Sequence, residues 1–298
     1  MRNAFFLLCA SYFALNATIV AADDSYPRPE FLIEAAALSQ PEVAKEFVIL
    51  DVRSQKDYDE GHLPKAQRVE AAAWSKAFAD GDDADGWGKR IGDLGIGDAS
   101  KVVVYDNASS KDAARIWWIL RYWGVQDVAI LNRGWTAWKS GQLPIQTDTP
   151  QPVAAANFQA VPASERLANK GSVLESLTNK SLQLVDARSD EEFCGSDKLS
   201  NKRGGAIPGA RHLEWSDLID EETQRFKKPD ELRELFQKTG IDLDKTTATY
   251  CQSGGRASVL AFGLELMGAE DIRNYYRGWS EWGNSDETPV EVVEPKQE

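Results

Sequence analysis

The sequence predicts an α/β protein of two tandem domains, each a parallel sheet flanked by helices on both faces. Three observations carry this expectation. The chain has 298 residues, beyond the length at which a single core usually divides. Its two halves repeat one another. Within each half, short apolar runs alternate with runs of helical spacing, the pattern of a parallel sheet built from strand, helix and strand.

The repeat is explicit. "VILDVRSQKDYDEGHLPKA" from Val48 returns as "QLVDARSDEEFCG" from Gln183 followed by "GGAIPGA", and "RGWTAW" at Arg133 returns as "RGWSEW" at Arg277. Asp51 and Arg53 match Asp186 and Arg188 at a shift of 135, whereas Gly61, Pro64, Gly124, Asp127, Gly134, Trp135 and Trp138 match Gly205, Pro208, Gly268, Asp271, Gly278, Trp279 and Trp282 at 144. The second copy therefore carries a nine-residue insertion between Arg188 and Gly205. A period this long denotes tandem globular domains, because solenoid repeats run ~20–50 residues.

In chain order, "FVILDV" and "KVVVYD" read as buried strands, "AARIWWILRYWG" as a helix closed by glycine, and "VAIL" as a third strand. "LQLVDA", "TATYC", "ASVLAFGLELMG" and "IRNYY" repeat the series. Trp117, Trp118, Trp123, Trp135, Trp138, Trp279 and Trp282 recur with these elements and read as core and interdomain packing. The prolines and small polar residues from Leu143 to Ser164 mark the connection. The expected division is domain one at 23–148, a linker at 149–156 and domain two at 157–298.

The opening 24 residues carry one early positive charge at Arg2, continue in an apolar stretch from Ala4 to about Leu15, and exit through Val20-Ala21-Ala22. That is the pattern of a secretory signal, residues 1–22, cleaved near Ala22 and Asp23, and it implies export, in a bacterium to the periplasm. Asn16 and Thr18 interrupt the run before the ~20 apolar residues that a membrane span needs. No stable membrane insertion is therefore expected. A formal net charge of −13 argues against nucleic-acid partners and anionic membrane surfaces.

Cys9 leaves with the signal, so Cys194 and Cys251 remain. Cys251 opens "CQSGGR" between a strand and a helix, where ligands sit in parallel sheets. A turn containing Gly254 and Gly255 aims successive N–H groups at one point, and the helix N-terminus adds partial positive charge. Such a cradle suits an anion, and a sulfur at its centre is expected as thiolate, the nucleophilic form. Gln252, Ser253, Gly254, Gly255 and Arg256 complete the candidate site, with Arg256 the candidate to bind a substrate anion. A packed, inert cysteine and a Cys194–Cys251 disulfide remain the alternatives.

The first copy supplies an internal comparison. At a shift of 145, Tyr105-Asp106 stands where Tyr250-Cys251 stands, and Lys111 matches Arg256. An aspartate cannot carry sulfur, so the first copy is read as catalytically silent. Asp186 with Arg188, like Asp51 with Arg53, reads as a buried structural pair fixing a strand end.

These residues resemble the rhodanese sulfurtransferases of the tandem two-domain type, whose C-terminal domain carries the cysteine. The resemblance rests on Asp51-Val52-Arg53 and Asp186-Ala187-Arg188, on Gly61-His62-Leu63-Pro64 and Gly205-Ala206-Ile207-Pro208-Gly209-Ala210, on the loop from Cys251 to Arg256, and on the Gly-Trp pairs. It implies that Cys251 takes a sulfane sulfur from a small anionic donor, thiosulfate or 3-mercaptopyruvate, as a persulfide held by the loop amides. Cyanide or a thiol then accepts it, with a periplasmic thiol protein among the candidate acceptors. No metal and no organic cofactor is implied.

The departures leave the donor open. Glu192 stands before Phe193 where the two-domain enzymes commonly have a basic residue, Ala206 replaces the histidine of the Gly-His-Ile-Pro-Gly-Ala signature, and Lys65 replaces its second glycine in the first copy. The four residues between Cys251 and Arg256 are one fewer than a tyrosine-phosphatase loop uses, which sets the phosphatase or arsenate reductase reading third. The second reading is a non-catalytic sulfur carrier or partner-binding module of the same fold.

Overall fold

The computed structural model describes residues 25–81, 83–148 and 153–294. The expected signal segment lies outside the described residues. The first half contains β1 (Leu32–Ile33), α1 (Ala35–Leu38), α2 (Pro41–Ala44), β2 (Phe47–Asp51), α3 (Gln55–Glu60), β3 (Gln67–Arg68), α4 (Ala71–Asp80), α5 (Ala84–Gly92), β4 (Lys101–Tyr105), α6 (Lys111–Tyr122), β5 (Asp127–Leu131) and α7 (Gly134–Ser140). The second contains α8 (Lys170–Asn179), β6 (Gln183–Asp186), α9 (Asp190–Cys194), β7 (Arg211–His212), α10 (Pro229–Lys238), β8 (Thr247–Tyr250), α11 (Gly255–Leu266), β9 (Ile272–Tyr275) and α12 (Gly278–Trp282).

All strand pairs in both sheets are parallel, in the orders β1-β5-β4-β2-β3 and β7-β6-β8-β9. Read from the other edge, the second order is that of the first without β1. Leu167 fills part of the vacancy with a single parallel bridge to Asn274. Alternation along the strands divides the core by face. Ile49, Val103, Tyr105 and Leu131 point to the side of α1 and α7, while Leu50, Val102, Val104, Val128 and Ile130 point to the side of α4 and α6.

That second interior does not stop at the domain boundary. It runs on through α11, Leu218 and α10 beneath the other sheet. α6 packs against α11, with Trp117 edge-on to Phe262 at 5.0 Å and Trp118 stacked on Tyr276 at 5.7 Å. α11 is buried on almost every side, which suits its run of Ala, Val, Leu and Phe. The chain beyond 152 stays on the first half: Ala156 donates its N–H to the Gly92 carbonyl, and Ala163 to that of Tyr122. Among the described residues, no helix is long and apolar enough to cross a membrane.

Candidate active site

In the second sheet the chain runs from β6 outward to β7, then returns across β6 to β8. The crevice at such a reversal, beyond the strand carboxyl ends, is where open parallel sheets bind ligands. Asp186 ends β6 there and Cys251 follows β8. Arg188 donates to Asp186 at 2.6 Å and to the Gly205 carbonyl oxygen at 2.7 Å, and its guanidinium lies 4.4 Å from the Trp279 ring centre. Arg53 makes the same bonds to Asp51 and Gly61, also at 2.6 and 2.7 Å. The repeated contact fixes the register of the two copies, and the inserted residues form the loop between α9 and Gly205.

Cys251 is 2% exposed. Its carbonyl oxygen accepts from the Trp279 N–H at 2.7 Å, and that of Gln252 accepts from the Ser280 N–H at 3.0 Å. Gly278 makes this approach available: its φ is +50°, and a Cβ would collide with the Cys251 carbonyl. Gly254 caps α11 with φ +83°, its hydrogen facing the Tyr276 ring where a Cβ would not fit. The Arg-Gly-Trp motif is thus the clamp under the cysteine loop, a role beyond the packing that the sequence suggests for its tryptophan.

The first copy shows what the loop binds. Asp106 is buried, and its carboxylate accepts from the backbone N–H groups of Ser110 at 3.1 Å, Asp112 at 3.2 Å and Ala113 at 3.3 Å. A carboxylate from the chain itself occupies the cradle. The two helices that follow are in step at a shift of 144, because Ser110 and Gly254 are both left-handed N-caps, so the first loop is one residue longer. The amides of Gly254, Arg256 and Ala257 therefore stand in the places of Ser110, Asp112 and Ala113, and Arg256 matches Asp112 rather than Lys111.

The loop is held from three directions. Gln252 exchanges paired amide hydrogen bonds with Asn201 of the inserted loop, at 3.0 and 3.1 Å. Ser253 gives its carbonyl oxygen to Arg115 of α6 at 3.0 Å. Arg256 forks onto Glu192, whose second oxygen lies 2.8 Å from its Nη2. Burial alone would lower the Arg256 pKa, but the Glu192 hydrogen bond and the charge of Cys251 outweigh it and raise it. The guanidinium expected to meet a substrate anion is therefore already matched by a buried carboxylate.

Cys194 is a half-buried free thiol, its Sγ 3.3 Å from Ser196 Oγ, and Cys251 is free as well. The disulfide alternative is not what the structure holds. His212 binds the Arg188 carbonyl oxygen and stacks on Phe193, while His62 binds that of Tyr58. A cleft of about 720 Å³ opens between the halves, lined by Arg53, Ser75, Arg115, Ser253, Tyr276 and Arg277 among others. The sequence reading missed Arg115, which sits within an apolar helical pattern. The available signal is that the second copy has Val259 at the matching position of its helix.

Two parallel-sheet domains, one cysteine loop and one carboxylate-filled counterpart define a duplicated protein with one candidate thiol site. The rhodanese-like domain model matches residues 34–141 and 170–285, and the chain belongs to that family. It is similar to the thiosulfate sulfurtransferase of Corynebacterium glutamicum, 33% identical over 292 residues that cover 92% of this chain and 94% of the relative. It is also similar to human 3-mercaptopyruvate sulfurtransferase, 29% identical with 83% and 89% covered. Among solved structures it resembles the Escherichia coli 3-mercaptopyruvate sulfurtransferase SseA, with a TM-score of 0.74, 26% identity and 84% and 98% covered. The chain is a rhodanese-type sulfurtransferase.

Proposed function

We propose that Cys251 carries a sulfane sulfur from thiosulfate or 3-mercaptopyruvate to a thiol or cyanide. The observation that carries this reading is the matched pair of loops, one holding the Asp106 carboxylate on backbone amides and the other presenting Cys251 at the same place. In the first step the thiolate forms a bond to the outer sulfur of the donor. The donor's bond to that sulfur breaks, and sulfite leaves, or the enolate of pyruvate, which takes up a proton. In the second step the acceptor attacks the outer persulfide sulfur and the Cys251 thiolate leaves. The loop amides from Gln252 to Arg256 stabilise the negative sulfur in both states. Asp186 and Arg188 hold the strand end that carries the crevice wall.

The same reading takes residues 1–22 as an export signal and the periplasm as the working compartment, with a thiol protein there as an acceptor. Its support is Arg2, the apolar stretch and the small-residue exit. One experiment addresses both points: intact mass of the protein recovered from the periplasmic fraction, before and after incubation with each donor. The expected result is a chain beginning near Asp23 that gains one sulfur on Cys251 and loses it to cyanide. Cys251→Ser should fold normally and gain none. An adduct that persists in Cys251→Ser rejects the assignment, and sulfur that loads but is not released to cyanide favours the carrier reading.

A further inference from the structure

The cations around Cys251 differ in whether a carboxylate already holds them. Arg188 is forked onto Asp186 and Arg256 onto Glu192, so neither offers an unmatched charge. Arg277 lines the cleft between the halves and is bound to the Ala79 carbonyl oxygen, whereas Arg115, from α6 of the other half, reaches the cysteine loop itself. Its Nη1 donates to the Ser253 carbonyl oxygen at 3.0 Å, to Ser75 Oγ at 2.6 Å and to the Tyr276 hydroxyl at 3.1 Å. Among the described residues no carboxylate lies within ion-pair distance of Arg115, and its Nε and Nη2 have no acceptor there. The guanidinium lies against the start of α11, where a Cβ on Gly255 would collide with Nη2, and it lines the cleft of about 720 Å³ together with Ser253. Burial alone would lower its pKa, but Tyr276, the charge of Cys251 and the more distant carboxylate of Asp112 outweigh it and raise it, so the group stays cationic.

A guanidinium fixed through Nη1, with Nε and Nη2 lying over the start of α11 and bound to no acceptor among the described residues, is arranged to take an oxyanion in a bidentate grip at the cleft wall. We propose that Arg115, supplied by the half without a sulfur-bearing cysteine, receives the oxyanion end of the sulfur donor and so gives the site its preference for anionic donors. The proposal rests on Cys251 being the carrier, and it makes the site bipartite, with the nucleophile from one copy and the anion-binding cation from the other.

The test has two arms. Thiosulfate is titrated by calorimetry into full-length Cys251→Ser protein, which cannot accept sulfur, with and without Arg115→Gln. Binding should weaken about tenfold or more, and Arg115→Lys should recover part of it. In the Cys251 protein, Arg115→Gln should lower kcat/KM for thiosulfate by a similar factor while leaving an uncharged organic trisulfide nearly as good a donor as before. Binding that is absent in the parent, or equal in Arg115→Gln and its parent, overturns the proposal. So does an equal loss for charged and uncharged donors, which is what a merely structural role produces. If Arg115→Gln does not fold, the comparison is made with Arg115→Lys. Because the binding arm uses protein without the nucleophile, it remains readable even if Cys251 proves not to be the carrier.

Discussion

Asp106 and Cys251 occupy one position in two copies of a loop, and they differ in how each meets the surrounding amides. The Asp106 carboxyl is pushed up from 3.8 to about 6 by burial, against backbone N–H donors from Ala113, Ser110 and Asp112 that pull it down. A raised carboxyl favours folding most in its protonated form. The contribution is complete below the ordinary carboxyl range and is lost as the pH rises through about 6. At 1.36 kcal/mol per pH unit, the loss is on the order of 3 kcal/mol. Urea unfolding of the parent and of Asp106→Asn at a series of pH values should show the parent losing this much relative to the variant between about pH 4 and pH 7. A constant difference between the two curves would mean that the carboxyl is not raised. The sequence identifies Asp106 as a position that cannot carry sulfur. That its carboxylate would fill the cradle depends on side-chain direction, which spacing alone does not convey.

At the level of elements, the central strands and the two long helices were legible as apolar runs of strand and of helix length, covered on both sides, and both helices end two residues before a glycine of positive φ, Gly124 and Gly268. The two-residue edge strands β1, β3 and β7 are too short to carry any period, and they emerge only from pairing with their neighbours. The inserted loop was legible as nine extra residues, but its Asn201–Gln252 contact joins positions 51 residues apart and left no local trace. The glycine-tryptophan clamps offer a matched test of what such elements do. Gly134 stands under the Asp106 carbonyl as Gly278 stands under that of Cys251, with φ +46° and +50°. Gly134→Ala and Gly278→Ala should each cost about 2–3 kcal/mol, measured by chemical unfolding. Only Gly278→Ala should displace the thiol, so it should reduce the rate of sulfur transfer well beyond what lost stability explains. Equal losses of activity in the two variants would refute this separation of roles.

For the molecule as a whole, the duplication and insertion were readable from spacing, but the union of the halves was not, because composition does not say which helix faces meet. α6 and α11 close one interior shared by both sheets. Beside it, Glu265, 3% exposed, lies 2.6 Å from Arg166 and 3.7 Å from Arg121 of the first half. Unfolding should therefore be a single transition, with far-UV circular dichroism and tryptophan fluorescence coinciding. Glu265→Ala should lower the unfolding free energy by about 3–5 kcal/mol without splitting the transition, because removing the acid leaves buried guanidinium groups uncompensated. Two resolved transitions in the parent would contradict the shared core. In terms of descent, a common interior makes the two copies heritable only together. The first can do without a sulfur atom, since an aspartate satisfies its loop, but not without its helices, on which the cysteine-bearing copy is built. What began as redundancy has become dependence.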